Sequence, residues 1–101
     1  KRFERQNKSA VKSLPVYEDR FQRLKAKIRA YMNKPQNTLR DYPSKDTSIA
    51  ARYARAIAFY RSGKVSDALT ILDTLIKENP NDPFFYELKG QVSFESGKIR
   101  E

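Results

Sequence analysis

Apolar residues recur at steps of three and four along most of the chain, which predicts helices. In the first such segment, from Pro15 to Asn33, basic residues occupy most of the positions between the apolar ones. Its apolar residues are Val16, Tyr17, Phe21, Leu24, Ile28, Tyr31 and Met32. Pro15 suits the first turn of a helix, and Lys34-Pro35 ends it because a residue before proline disfavours helical dihedral angles. We therefore expect an amphipathic helix whose apolar face packs inward.

Three more helices are predicted after a loop at residues 34–47, which holds one short helical turn at residues 36–42. The second helix, to about Ser62, presents Ile49, Tyr53, Ala56, Ile57 and Tyr60 on one face. The third begins at Val65 and presents Ala68, Leu69, Leu72, Leu75 and Ile76. The last, from about Asp82 to Ser96, presents Phe85, Leu88, Val92 and Phe94. Gly63 and Gly97 are expected to end helices, and the prolines at 80 and 83 separate the last two.

One sequence pattern occurs twice. Phe59-Tyr60-Arg61-Ser62-Gly63-Lys64-Val65 returns as Ser93-Phe94-Glu95-Ser96-Gly97-Lys98-Ile99, with an interval of 34 residues. A period of this size is typical of stacked helix-turn-helix repeats. We expect one complete repeat at residues 49–82 and a truncated one at residues 83–101, preceded by a basic linker or arm at residues 1–14 and by the amphipathic helix plus loop at residues 15–48.

The repeat resembles the tetratricopeptide repeat. Its small, aromatic, turn, small, large, medium and proline positions match, in that order, Ala56, Phe59, Gly63, Ala68, Leu72, Leu75 and Pro80, and the second copy keeps Gly90 and Gly97 in register. Arg52, Arg55 and Lys89 depart from the pattern, since large apolar residues are usual there. The resemblance implies an all-α fold of antiparallel helix pairs in an α-α superhelix, with the first helix as an N-terminal cap.

A narrower resemblance covers residues 16–97. The segments Phe21-Gln22-Arg23-Leu24-Lys25-Ala26-Lys27-Ile28, Leu39-Arg40-Asp41-Tyr42-Pro43, Ala51-Arg52-Tyr53-Ala54-Arg55-Ala56 and Glu87-Leu88-Lys89-Gly90-Gln91 are similar to the C-terminal region of bacterial periplasmic M48-type zinc metalloproteases. In that family a zinc-binding His-Glu-x-x-His helix precedes tetratricopeptide repeats. The resemblance implies a periplasmic, noncatalytic interaction module that binds or positions substrate or partner proteins.

The composition limits the metal sites and catalytic groups that the chain can form. The chain has no cysteine and no histidine, so it offers neither thiolate nor imidazole ligands for zinc and no histidine base. We predict no catalytic, cofactor or metal residue in this fragment; zinc would belong to the catalytic domain of the suspected parent. No apolar run is long enough for a membrane helix. Most of the net charge of +9 lies in residues 1–48.

Two sets of candidate binding residues follow. In the repeat family, the first helices of successive units line a groove for a peptide or a neighbouring domain, such as the parent's own catalytic domain. The groove candidates are Tyr53, Ile57, Tyr60, Arg61, Glu87, Gln91, Phe94 and Glu95. For Tyr53, Ile57 and Tyr60 the alternative is a place in the core under the first helix. For the polar candidates it is an ordinary solvated face.

The second set is a basic face on the first helix, formed by Arg20, Arg23, Lys25, Lys27 and Arg29. These cations could bind nucleic acid, an anionic membrane surface or an acidic partner, which would make the chain a freestanding basic adaptor. A merely solvated helix face explains the same charges more simply. Finally, Phe85, Leu88, Val92 and Phe94 are expected to leave apolar surface at the open end of the last helix, which predicts self-association.

Overall fold

The structure, a computed structural model, describes the backbone of residues 15–100 and the side chains of residues 20–97. Across that part of the chain it contains five helices and no strand. They are α1 (Pro15–Met32), α2 (Pro35–Asp41), α3 (Ile49–Arg61), α4 (Val65–Glu78) and α5 (Pro83–Arg100). The predicted all-α class is confirmed, whereas the basic arm predicted at residues 1–14 lies outside the described residues.

Local sequence signals account for most helix ends. Ser48 caps α3, because its hydroxyl accepts a hydrogen bond from the N–H of Ala51 at 3.2 Å. Gly63 ends α3 with a φ of 83°, and Lys64 N–H then bonds the Phe59 carbonyl at 2.8 Å. At the start of α5, the Asp82 carboxylate accepts a hydrogen bond of 3.0 Å from the backbone N–H of Phe84. Together these signals fix the turns between α3, α4 and α5.

Three helices pack in sequence order, α3 on α4 and α4 on α5. Arg52, near the start of α3, forms a two-pronged ion pair with Glu78, the last residue of α4, at 2.8 Å for both contacts. These two helices therefore run antiparallel. In contrast, Tyr53 near the start of α3 contacts the ring of Phe85 near the start of α5 edge to face, and Tyr60 near the end of α3 donates a hydrogen bond to Glu95. Helices α3 and α5 therefore point the same way.

Helix α1 makes its most extensive contact with α3 and runs parallel to it. The guanidinium of Arg61, the last residue of α3, donates to the carbonyls of Ala30 and Asn33 at 2.6 and 2.5 Å. Those carbonyls belong to the C-terminal end of α1. Further toward its start, Arg23 lies over the ring of Phe85. Helix α1 thus lies along α3 and also reaches the first turns of α5.

The core lies where α1, α3, α4 and α5 meet. Its buried residues are Ala26, Ala30, Tyr53, Ala54, Ala56, Ile57, Leu72, Leu75, Phe85, Leu88 and Val92. Ala68 is also fully buried, while Leu69 and Ile76 are half-buried against the core. The predicted apolar face of α4 is therefore confirmed.

The predicted inward face of α1 is wrong. Four of its residues, Phe21, Leu24, Ile28 and Met32, are 60, 53, 54 and 79% exposed and form a line along the solvent side; we call them the apolar stripe. The buried face instead carries Ala26, Ala30 and Arg23. Small side chains let two helix backbones approach closely, and Ala54 of α3 belongs to the same buried cluster as Ala26 and Ala30. An alanine interface has been formed in place of one built from large apolar residues.

Two expectations for α5 are also corrected. Gly97 does not end the helix, which continues to Arg100; its φ is not positive, and a glycine inside a helix costs only about 1 kcal/mol relative to alanine. Phe85, Leu88 and Val92 do not form an open apolar surface, because contacts with α3, α4 and α1 bury them. Phe94 is exposed as expected. Self-association stays a prediction, and the exposed apolar surface that would support it is smaller than expected.

Candidate interaction surface

The groove candidates on α3 are largely covered by α1. Tyr53 and Ile57 are buried in the core beside Ala26 and Ala30 of α1, in agreement with the alternative interpretation. The pKa of Tyr53 is raised to about 12, mainly by burial, with smaller contributions from the nearby Tyr31 and Glu87. Neither side chain is open to a peptide on the face of α3 that α1 covers, although Tyr53 lies at the back of a cleft described below.

Tyr60 links the groove candidates of α3 and α5. Its hydroxyl donates to the carboxylate of Glu95 and accepts a hydrogen bond from the side-chain amide of Gln91 at 3.1 Å. Loss of solvation, followed by the bond to Glu95, raises the pKa of the Tyr60 hydroxyl to about 12. The three residues form a bridge between the two helices, so they are structural partners as well as candidates for binding.

The remaining groove candidates are dispersed. Arg61 binds carbonyls at the end of α1, as described above. Glu87 is exposed. The pKa of Tyr31 on α1 is raised mainly by burial, and the negative charges of Glu87 and Glu95 add to this effect. Phe94 is 64% exposed. The structure therefore brings together Tyr60, Gln91 and Glu95 but does not gather the eight residues into one open groove.

The predicted basic face is divided between two sides of α1. Lys25 and Arg29 are exposed on one side of the apolar stripe, and Arg20 is exposed on the other. Lys27 is half-buried, with its ammonium 5.5 Å from the centroid of the Phe84 ring. Arg23 is buried and forms an ion pair with Asp82, so its assignment to a binding face is corrected.

Arg23 differs from the other cations of this set because its partners lie within the fold. It pairs with Asp82, its guanidinium lies 5.7 Å from the centroid of the Phe85 ring, and Phe85 in turn contacts Tyr53 edge to face at 5.4 Å. A buried charge needs such partners because removal from water is costly. The sequence pattern of alternating basic residues does not distinguish this arginine from its neighbours.

A cleft of about 620 Å³ opens where α1 passes the turn between α4 and α5. Leu24, Phe84 and Pro80 give it apolar walls, with buried Tyr53 behind them. Arg20 and Lys27 place positive charge beside these walls. Such a volume is in the range that accommodates a small ligand or a few side chains of a peptide. No sequence signal marked this cleft, because its walls come from segments about 55 residues apart.

The arginines that depart from the repeat pattern have structural partners. The guanidinium of Arg55 is buried and donates to the carbonyls of Tyr42, Pro43 and Asp46 at 3.2, 2.7 and 2.8 Å. Arg52 pairs with Glu78, and this hydrogen bond lowers the pKa of the Glu78 carboxyl. Arg55 thus holds the loop before α3, and Arg52 joins α3 to the end of α4.

Within the described part of the chain, no group of three or more metal-binding side chains lies together. No helix there has the length and apolar character needed to cross a membrane. Comparison with protein-family models, with curated proteins and with solved structures finds no match to the chain.

Proposed function

We propose that this chain is a protein-interaction module of tetratricopeptide type, the noncatalytic C-terminal part of a periplasmic zinc metalloprotease. It would bind or position substrate or partner proteins, while zinc and catalysis belong to another domain. The antiparallel α3–α4 pair and the parallel α3 and α5 support the repeat interpretation. Buried Ala56 and Ala68 at the predicted small positions support it too. With α1 in front of α3 and α5, that helix would act as the N-terminal cap.

The cleft between α1 and the start of α5 is the main observation that supports the proposal. It combines concave apolar walls with positive charge, and two of its apolar residues, Leu24 and Phe84, are each about half exposed. Recognition sites for peptides commonly pair an apolar pocket with a few charged groups that fix orientation. We expect a segment that places an apolar side chain against Leu24 and Phe84 and an acidic side chain near Arg20 and Lys27.

This proposal assigns binding to the cleft beside α1 and not to the groove candidates on α3. Helix α1 covers Tyr53 and Ile57, so the inner face of α3 is occupied by the chain itself. Glu87, Gln91 and Phe94 remain accessible on α5. A bound segment that extends from the cleft along α5 would meet these residues after Phe84.

A selection from a phage-displayed random peptide library against the full chain tests this function. We expect enrichment of peptides that combine acidic and large apolar residues. The selected peptides should bind the Phe84→Ala variant at least about tenfold more weakly, since truncation of a central apolar contact commonly costs more than 1 kcal/mol. Lys27→Gln should weaken binding several-fold and reduce its salt dependence.

Thr74→Ala is the matched control, because Thr74 is exposed on α4 and lies outside the cleft. It should leave peptide affinity unchanged, and both cleft variants should keep the helical signal and melting temperature of the wild type. A library without enrichment, or peptides that bind Phe84→Ala as tightly as the wild type, would reject the cleft as a protein-binding site.

Nucleic-acid binding by the basic face receives less support. The ion pair with Asp82 removes Arg23 from the set, and the apolar stripe separates Lys25 and Arg29 from Arg20 and Lys27. A phosphate backbone would leave that stripe uncovered. The division of the cations points instead to a surface that is apolar in the middle and anionic at its edges.

A further inference from the structure

The apolar stripe is the largest line of exposed apolar side chains on a single helix of the described chain. Its members, Phe21, Leu24, Ile28 and Met32, follow at steps of three, four and four and therefore lie on one side of α1. At 1.5 Å per residue the stripe is about 16 Å long. Single exposed apolar residues are normal, but a contiguous line of four large ones indicates an interaction surface.

The orientation of α1 is set by specific contacts on its opposite side. Ala26 and Ala30 are fully buried against α3, and Arg23 is held by Asp82 and Phe85. The carbonyl end of α1 receives the guanidinium of Arg61. Turning α1 to bury the stripe would break these contacts. The stripe is consequently held toward solvent by the fold.

Positive charge borders the stripe on both sides. On an α-helix, Lys25 and Arg29 follow one edge of this line, and Arg20 and Lys27 follow the other. The acidic residues of α1, Glu18 and Asp19, are confined to its first two turns. Outside α1, Glu87 is close to the stripe's end near Tyr31. Most of the border is therefore basic and complementary to an anionic surface.

The shape of this face distinguishes among possible occupants. A second copy of the chain would bring two basic borders together. A helical peptide would require a groove, whereas the stripe runs along the outward side of one helix. An anionic lipid surface satisfies both features, because it offers acyl chains to the stripe and phosphates to the flanking cations. A helix with an apolar face bordered by Lys and Arg is typical of binding in the membrane interface.

We propose that α1 is an interfacial membrane-binding helix, which places the chain on the surface of an anionic lipid bilayer. The stripe enters the boundary between head groups and acyl chains, and the four flanking cations contact lipid phosphates. The helix remains attached to α3, so binding needs no unfolding. Leu24, Arg20 and Lys27 also line the cleft, so the bilayer and a bound peptide would compete for these three side chains.

Flotation of the full chain with lipid vesicles tests the proposal. We expect binding to vesicles of phosphatidylcholine with one third phosphatidylglycerol at low salt, and at least about tenfold weaker binding to phosphatidylcholine alone, since anionic lipids attract the basic residues beside the stripe. The double variant Ile28→Ser/Met32→Ser should bind the anionic vesicles at least tenfold more weakly. Neither residue lines the cleft, so peptide binding by the double variant should persist.

Phe94→Ser is the matched control, because Phe94 is equally exposed but lies on α5. It should retain the wild-type affinity for vesicles. Equal loss in Phe94→Ser and in the stripe variant, or no flotation with anionic vesicles at low salt, would overturn the proposal. So would stripe-dependent binding of a glutamate-rich amphipathic peptide without vesicle binding, because this result would assign the stripe to a protein partner. Circular dichroism melts verify that the variants remain folded.

Discussion

Helices α1 and α4 are both amphipathic in sequence, yet they bury opposite kinds of face. In α4 the apolar side is inside, with Leu72 and Leu75 fully buried. In α1 the large apolar residues are outside, and Ala26 and Ala30 contact α3. Periodicity identifies a helix in each case, but the choice of the buried face depends on what the neighbouring helix offers. The alanines of α3 favour a close approach by another small-residue face.

The largest expected difference between the two helices comes from making the same substitution in each. Leu72→Ala should lower the free energy of unfolding by about 2–5 kcal/mol, because it removes buried apolar area and leaves a cavity. Leu24→Ala should change it by less than about 0.5 kcal/mol, since this side chain is half exposed. Urea unfolding of both variants measures the difference. Equal losses would mean that the apolar stripe is buried in solution.

The comparison also shows how far sequence reasoning extends. Signals at Gly63 and at the prolines 80 and 83 placed the helix boundaries there to within a few residues, because they act locally. The orientation of α1 and the cleft depend on contacts between distant segments, such as Arg23 with Asp82. One sequence carries no direct signal for such pairs. The groove candidates lie on the two expected helices, but Tyr53 and Ile57 are buried under α1 and the eight residues form no single open groove.

The second prediction concerns the charge buried under α1. Arg23→Met should lower the free energy of unfolding by about 3 kcal/mol, because Asp82 would lose its ion-pair partner in a largely buried place. Arg29→Met, on the exposed side of the same helix, should cost no more than about 0.5 kcal/mol. Thermal unfolding followed by circular dichroism measures both. A stable Arg23→Met protein would remove the explanation given for the orientation of α1.

The third prediction tests the close approach of α1 and α3. Ala30→Leu should cost about 1–3 kcal/mol, because a larger side chain cannot enter an alanine interface without moving the helices apart. Lys25→Leu adds a leucine on the solvent side and should stay within about 0.5 kcal/mol of the wild type. Chemical denaturation of the pair provides the measurement. If Ala30→Leu proves neutral, the helices are not in close contact at this point.

The last effect is absent at neutral pH and is expected only under alkaline conditions. The pKa of Tyr53 is raised to about 12 in the folded chain, against an ordinary value of 10.0. Its contribution to stability is therefore complete below pH 10 and is lost as the pH rises toward 12. Tyr53→Phe should make the free energy of unfolding fall less steeply over this interval. An identical pH dependence in both proteins would show that α1 does not keep Tyr53 from solvent.

The parallel course of α1 and α3 has a consequence for chain length. Because both helices end near Arg61, the chain must travel back along the whole of α3, about 20 Å, before that helix can begin. Residues 33–48 form this return connection, which consists of α2 and of the loop that Arg55 holds. This connector has a minimum length set by geometry. Insertions into it should be accommodated, whereas a deletion that leaves fewer than about six residues could not span this distance and would force α1 off its partner.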